Sequence, residues 1–179
     1  MNTRTLATAS ILISLTVAMR WIKNILTSFQ FVNISLVLAY LGSFFYGPFV
    51  GFLVGSMSYV VSDLLIFPGP WTVVNAALAG LVAYIFGVLK KFFREYEFLF
   101  VLAFILTFLF DLLSSSTLYI VFGLNLFDAV FWGFVGLFLP VTGGGIIGVG
   151  PLTEFVTSFL CVFLIKALES RGVVYGQTG

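Results

Sequence analysis

The sequence predicts an all-α membrane protein: a six-transmembrane-helix bundle with a short interfacial or re-entrant helix before the last span. Of its 179 residues, 61% are apolar and only 8% are charged, whereas an ordinary soluble domain is about 25% charged. So few charged residues cannot cover a water-exposed surface, and several apolar segments approach the length of about 20 residues that a spanning helix needs. The composition therefore excludes a soluble domain, a disordered chain and a nucleic-acid-binding protein, and we expect residues 1–179 to form a single integral membrane domain.

The first predicted span covers about Thr5–Met19. An apolar run so close to the N-terminus looks like a signal peptide, but Arg20, Trp21 and Lys23 follow it where a cleavage site would need small residues. We therefore expect this span to be retained, with Arg20 and Lys23 in the connection that follows it.

Prolines and glycines delimit the next three spans. Because proline lacks an N–H and restricts the residue before it, Gly47-Pro48 predicts a tight turn and Phe67–Pro70 predicts a second break. The spans around these breaks cover about Phe31–Tyr46, Phe49–Ile66 and Trp71–Leu89.

The rest of the chain contains two clear spans and one ambiguous segment. The charged run Lys90–Glu97 precedes the fifth span, about Phe98–Val121, and the last span covers about Pro151–Leu168. Between them, Leu126–Leu139 is apolar but short, and the glycine-rich residues 140–150 follow it. A short interfacial or re-entrant helix fits this segment better than a seventh span, although spanning, re-entrant and surface-lying arrangements all stay open.

Six spans place both termini on the same side of the membrane, and the distribution of Lys and Arg indicates which side. With cytoplasmic termini, only Arg20 and Lys23 lie outside, as the positive-inside rule favours. The cytoplasmic set is then Arg4, Lys90, Lys91, Arg94, Lys166 and Arg171. The longer connections lie outside in this arrangement, which indicates a site that faces outward from the plasma membrane.

The residue content excludes several kinds of chemistry. The chain has no His and a single Cys, Cys161, so it has no imidazole base, no His-based metal site and no internal disulfide. The glycine run Gly143–Gly145 lacks the lysine of a phosphate-binding loop. Asp63 and Asp111 lie at different predicted depths, which disfavours a pair of catalytic carboxylates. We therefore predict no catalytic residue, no metal and no cofactor, and a protein that is not an enzyme.

Three acidic residues lie in or beside predicted spans, where ionisable groups are costly and usually face a cavity or a partner. They are Asp63 near the outer end of the third span, Asp111 at mid-depth of the fifth and Glu154 at the outer start of the last. Either they line a polar pocket or proton relay, or they have structural roles. In the structural interpretation, Asp63 and Glu154 reach water at the interface and Asp111 bonds to neighbouring hydroxyl groups.

Other polar and aromatic side chains near the outer ends of the spans are candidate ligand contacts. Asp111 and Ser115 share one face of the fifth helix. Trp71 and Tyr119 are either interfacial belt aromatics or surfaces on which a flat ligand stacks. Asn75 lies one turn after Trp71, and its amide needs a pocket or a polar partner.

Small residues recur at four-residue intervals in two spans, and this spacing allows helices to approach closely. In the third span the pair is Gly51 and Gly55, for which we expect packing inside the bundle. In the first span the small residues are Ser10, Ser14 and Ala18, with Ala7 nearby. For these, contact with another protein competes with internal packing.

Together these features resemble the substrate-binding subunit, or S component, of energy-coupling factor (ECF) vitamin importers. The single six-span unit has the family's layout. The segment Tyr46–Gly55 is similar to the family's signature between the second and third spans, in which Tyr-Gly-Pro precedes spaced glycines. The segment Ser62–Leu65 supplies the aspartate found in many members, and Pro68–Thr72 opens the fourth span as it does in the family.

The resemblance implies a high-affinity subunit that captures a vitamin or related micronutrient at the outer face of a prokaryotic plasma membrane. Its implied partners are a transmembrane coupling protein and two cytoplasmic ATPases. The family's first span carries alanines at four-residue spacing that contact the coupling protein, and the counterparts here are Ala7, Ser10, Ser14 and Ala18, with serine at two positions. The implied ligand-binding residues are Arg20, Lys23, Trp71, Asn75, Ser115, Tyr119 and Glu154.

The identity of the ligand stays open at this point. Arg20 and Lys23 suit a carboxylate or phosphate on the ligand, or they anchor the first span at the lipid headgroups. An aromatic content of 18% suits a flat ligand such as a flavin, a pterin or a tetrapyrrole-related molecule. Two other functions compete with vitamin capture: a structural or assembly protein without a small ligand, and a solitary proton-coupled carrier.

Overall fold

A computed structural model describes residues 3–26, 31–93, 95–139 and 149–172, and these residues form helices without strands. The seven α-helices are α1 (Thr3–Leu26), α2 (Ile34–Tyr46), α3 (Pro48–Ile66), α4 (Pro70–Leu89), α5 (Tyr96–Val121), α6 (Leu126–Leu137) and α7 (Val149–Ser170), with a 3₁₀ turn at Lys90–Phe92. Arg94 and most of the glycine-rich segment before the last span lie outside the described residues.

Five of these helices are long and apolar enough to cross a membrane, namely α1, α3, α4, α5 and α7. The other two are shorter, with 13 residues in α2 and 12 in α6. At a rise of 1.5 Å per residue, α2 is about 20 Å long, less than the hydrocarbon thickness of about 30 Å. The all-helical class is confirmed and α6 is the short helix expected before the last span, whereas the count of six spans is not confirmed.

The end of the first span is the clearest correction to the sequence analysis. The helix α1 continues to Leu26, so Arg20 and Lys23 lie on a helix and not in a connection. A charged side chain within a span is costly unless it has a partner or faces a cavity. Here the Arg20 guanidinium lies 2.7 Å from the Asp63 carboxylate on α3, which lets the helix carry the charge.

Both expected proline breaks are confirmed. Gly47 has a φ of 101°, a backbone conformation that side chains disfavour, and Pro48 follows as the first residue of α3. At the second break, Pro70 is likewise the first residue of α4. The Gly69 N–H donates to the Thr72 hydroxyl at 3.2 Å, which satisfies a group that the start of a helix would otherwise leave unpaired.

The short helix α2 is the centre of the bundle and packs against α1, α3, α4 and α7. Every residue from Ser35 to Phe45 is buried. Tyr40 lies at the middle of this core, with its ring 4.7 Å from the ring of Phe86 and its hydroxyl 3.3 Å from that of Thr107. Residues of α2 therefore contact helices on several sides, which explains why this helix is apolar on all faces.

The spaced glycines of α3 pack inside the bundle, as expected. A Cβ atom at Gly55 would lie 2.7 Å from the carbonyl oxygen of Ala79 on α4, and one at Gly51 would lie 2.8 Å from the carbonyl oxygen of Ala39 on α2. Real Cβ atoms do not approach backbone so closely. The glycines thus let α3 contact two neighbouring helices backbone to backbone.

Lys90 completes the C-terminus of α2, where the break at Gly47 leaves backbone carbonyl groups unpaired. Its ammonium group donates to the carbonyl oxygen of Ser43 at 3.2 Å and to that of Phe44, and it lies 4.8 Å from the centre of the Phe44 ring. The side chain therefore joins the end of α4 to the end of α2.

We expect Lys90→Met to destabilise the fold by about 1–3 kcal/mol, because the carbonyl groups of α2 lose a charged donor while the apolar stem is kept. The measurement is the thermal unfolding midpoint in detergent, which should fall by several degrees. Lys91→Met is the matched control, since Lys91 is exposed and lies over the neighbouring Phe92 ring. Equal midpoints for the two variants would refute the capping role.

Candidate ligand-binding cavity

A cavity of about 390 Å³ opens where five helix segments meet, within the range typical of small-molecule sites. It lies among the end of α1, the start of α2, the end of α3, the start of α4 and the second half of α5. The lining residues are Arg20, Lys23, Asn24, Val32, Asn33, Ile34, Ser35, Tyr59, Asp63, Ile66, Phe67, Trp71, Asn75, Phe110, Asp111 and Ser114. Aromatic rings, amides and charged groups thus face one space.

An ion pair between α1 and α3 forms one wall of this cavity. The Arg20 guanidinium donates to Asp63 Oδ1 at 2.7 Å and to the Ser62 hydroxyl. Its carbon atom lies 4.2 Å from the centre of the Tyr59 ring, the geometry of a cation–π contact. Asp63 is buried, so this carboxylate does not reach water at the interface as one interpretation of the sequence expected.

Asn33 connects three helices at the cavity. Its side chain accepts the N–H of Leu36 at 3.2 Å and so caps α2, and its amide donates to the Tyr59 hydroxyl on α3 at 3.0 Å. Its own backbone N–H donates to the Thr157 hydroxyl on α7 at 2.9 Å. The start of α2 is therefore held in place by hydrogen bonds, and Tyr59 is held beneath Arg20.

Trp71 lines the cavity at the start of α4. Its indole N–H donates to the Phe67 carbonyl oxygen at 3.2 Å, and its ring stacks on the Phe67 ring with centres 5.6 Å apart. A Cβ atom at Gly69 would lie 2.6 Å from indole Cε2, so the glycine leaves room for the indole. The break before α4 therefore sets the position of an aromatic pair beside the cavity.

Asn75 and Ser114 form a polar contact across the cavity. The Ser114 hydroxyl on α5 donates to the Asn75 side-chain oxygen on α4. Asp111, one turn before Ser114, lines the same space. Asp63 and Asp111, which the sequence places at different depths, thus border one cavity.

Six of the residues that the sequence singled out line the cavity together: Arg20, Lys23, Asp63, Trp71, Asn75 and Asp111. Ser115, Tyr119 and Glu154 are not among its lining residues. For Ser115 the reason is helix phase: Ser114, three residues after Asp111, faces the cavity in its place. The Tyr119 hydroxyl points toward α6, where it would lie 4.0 Å from a Cβ atom at Gly136.

Glu154 is fully buried on α7. Within the part of the chain that the structure describes, neither of its carboxylate oxygens has a hydrogen-bond partner. It lies near enough to Asp111 for the two carboxylates to interact electrostatically. Its predicted contact with a ligand stays a prediction.

Several lining residues were missed by the sequence analysis, above all Asn24, Asn33, Tyr59 and Phe110. Tyr59 and Phe110 stand in apolar runs where nothing distinguishes a cavity ring from a core ring; their ring centres are 5.8 Å apart. Asn33 had a usable signal, since Asn before an apolar run is a common helix cap.

The cavity lies at the end of the bundle opposite to both ends of the described chain. The C-terminal residues of α1 line it, so the start of α1 lies at the other end. At that other end the Tyr96 hydroxyl, at the start of α5, donates to the Glu169 carboxylate near the end of α7 at 2.8 Å. The helices α1 and α7 therefore begin and end, respectively, on the same side.

A second surface lies on the outside of α1 and α3, in a groove of about 590 Å³. We call it the small-residue groove, and its lining residues are Ser10, Ile13, Ser14, Val17, Ala18, Trp21, Met57, Val61 and Leu65. The serines at positions 10 and 14 and Ala18 are exposed in it, and Ala7 is exposed on α1 outside its lining. The small residues of α1 that are expected to contact a partner are thus exposed on the surface of the bundle.

One comparison with known proteins identifies a family. Residues 1–158 match the protein-family model described as the ECF-type riboflavin transporter, S component. No curated protein and no solved structure gives a significant match.

Proposed function

Because the chain belongs to the family of ECF-type riboflavin transporter S components, we propose that it captures riboflavin in the cavity that helices α1 to α5 line together. Members of this family are substrate-specific membrane subunits that work with a membrane coupling component and ATPases. The family is not an enzyme family, and the chain is a multi-pass membrane protein. The flavin and the residues that hold it are the proposal.

The observation that carries this proposal is the combination of flat aromatic rings and amide groups in one cavity. An isoalloxazine ring system is flat and carries carbonyl and N–H groups along its edge. Trp71, Phe67 and Tyr59 offer ring faces for stacking. Asn24, Asn75 and Ser114 offer the hydrogen-bonding groups that fix the orientation of such a ring.

The bundle suits capture from outside followed by delivery through a partner. Three lysines lie at the end of the bundle opposite to the cavity, near the contact between Tyr96 and Glu169: Lys90, Lys91 and Lys166. Because positive charge favours the cytoplasmic side, we place the cavity at the outer face and both termini in the cytoplasm. The small-residue groove then faces the lipid and is free to receive the coupling protein. ATP hydrolysis by the two partner ATPases supplies the energy for uptake.

The first test of this proposal is Trp71→Ala. We expect the dissociation constant for riboflavin to rise at least about tenfold, about 1.4 kcal/mol, because the ligand loses a stacking surface. Binding is measured by the quenching of flavin fluorescence in the purified protein. Trp71→Phe should restore most of the affinity.

Trp132→Ala is the matched control, because Trp132 is an exposed residue of α6 that does not line the cavity. It should bind riboflavin like the unmodified protein. A Trp71→Ala protein that is folded and binds riboflavin with unchanged affinity would contradict the proposed site.

A further inference from the structure

The ion pair at the cavity wall points to a selection between two forms of the ligand. Resting on the proposed function, we propose that Asp63 is a specificity-determining residue: it holds Arg20 in an internal pair, so that the cavity selects uncharged riboflavin over its phosphate monoester, riboflavin 5′-phosphate. The sequence alone left open whether Arg20 and Lys23 meet a ligand carboxylate or phosphate or anchor the first span at the lipid headgroups.

The first step is that the Arg20 guanidinium is already engaged. One of its terminal nitrogens donates to both Asp63 Oδ1 and the Ser62 hydroxyl, and its carbon atom lies 4.2 Å from the centre of the Tyr59 ring. Strong arginine–phosphate recognition uses two parallel N–H donors of one guanidinium fork. Asp63 occupies the fork that includes this nitrogen and neutralises the guanidinium charge from 2.7 Å away, so a ligand phosphate gains less from Arg20.

The second step is the charge of the cavity as a whole. Its described lining holds two cations, Arg20 and Lys23, and two carboxylates, Asp63 and Asp111, so the lining is formally neutral. Among the undescribed residues, segments 1–2, 27–30, 140–148 and 173–179 contain no Asp, Glu, Lys or Arg, and Arg94 is the one charged side chain. Its sequence neighbours Phe93 and Glu95 do not line the cavity.

These two facts decide against a phosphate monoester. Such a group carries a charge of about −1.5 to −2 at neutral pH. Within the described lining, Lys23 is the one cation without a carboxylate partner, and the Asp63 carboxylate repels the phosphate. Riboflavin carries no such charge and leaves the pair between Arg20 and Asp63 intact, so it enters without this cost.

The test compares the dissociation constants of riboflavin and riboflavin 5′-phosphate for the purified protein and for Asp63→Asn. The quantity compared is the dissociation constant of riboflavin 5′-phosphate divided by that of riboflavin. In this ratio the contacts to the part that both ligands share cancel. In the unmodified protein we expect riboflavin to bind at least about tenfold more tightly. Asp63→Asn frees the guanidinium for a charged hydrogen bond, and we expect it to reduce the ratio by about tenfold.

Asp111→Asn is the matched control, because it makes the same substitution in the same cavity without freeing a guanidinium. We expect it to change the ratio by less than about threefold, under 1 kcal/mol. Equal effects of the two Asn variants would overturn the proposal, because the selection would then reflect net charge and not the pair. Equal affinities of the unmodified protein for both ligands would overturn it as well.

Lys23→Gln covers the case in which Asp63→Asn does not fold. It removes the cation that remains for a phosphate, so the binding of riboflavin 5′-phosphate should weaken more than the binding of riboflavin. An unchanged ratio of the two dissociation constants would refute the inference. Failure of the proposed function gives a different result, namely an unmodified protein that binds neither flavin, and this would overturn both proposals.

Discussion

The variant Ser14→Trp should abolish riboflavin uptake while riboflavin binding is retained. Ser14 is exposed in the small-residue groove, where a short side chain lets a partner helix approach closely. An indole at this position fills the groove without reaching the cavity, which is lined by residues farther along α1. We expect at least about a tenfold fall in the uptake rate, since a bulky residue at the centre of an interface costs more than 1.4 kcal/mol.

Uptake is measured in cells or vesicles that contain the coupling protein and both ATPases, and binding is measured on the purified variant. Ala77→Trp is the control, because Ala77 is an exposed small residue on α4, a helix that does not border the groove. Normal uptake by Ser14→Trp would contradict docking in the groove. Loss of binding together with uptake would also count against it.

The variant Gly55→Val should prevent stable folding. Its Cβ atom would lie 2.7 Å from the carbonyl oxygen and 2.8 Å from the carbonyl carbon of Ala79. Because these are backbone atoms, no side-chain rotation relieves the clash, and α3 and α4 have to separate. We expect a loss of about 3 kcal/mol or more, seen as aggregation in size-exclusion chromatography and a lower thermal unfolding midpoint.

Gly136→Ala is the matched control for this prediction. The single atom within 4 Å of its Cβ position is the Tyr119 hydroxyl oxygen at 4.0 Å, which is ordinary contact. This variant should fold as well as the unmodified protein or slightly better, since alanine is favoured over glycine in a helix. A Gly55→Val protein as stable as Gly136→Ala would show that α3 and α4 do not meet at this glycine.

The breaks and the family could be read from the sequence because they depend on local chemistry. Proline and glycine restrict the backbone whatever surrounds them, and Gly47-Pro48 and Pro70 begin and end helices as expected. Trp71 and Asn75 line the same cavity, because a spacing of four residues places both on one helix face; their contact with a ligand stays a prediction.

The end of α1 and the role of Asp63 could not be read in this way. Arg20 and Asp63 are 43 residues apart in the chain, and each one alone is typical of a membrane interface. Only their contact explains why a helix continues through an arginine and why an aspartate is buried. Contacts between distant positions leave no mark on composition or periodicity.

The choice between Ser114 and Ser115 shows a finer limit. Both lie within four residues of Asp111, and neighbouring helical positions at i+3 and i+4 differ by about 100° around the axis. The pattern alone does not decide which of them faces the cavity, because the polar residues continue through Ser116 and Thr117 and mark no single face of the helix. Packing of α5 against α4 and α6 sets this rotation.

The most direct test of riboflavin capture is native mass spectrometry of the detergent-purified protein, with extraction and identification of bound small molecules. We predict one flavin per protein, identified as riboflavin and present in smaller amount in the Trp71→Ala variant. A protein that is folded but contains no flavin, and that stays empty when riboflavin and a panel of other vitamins are added, would contradict the proposed function.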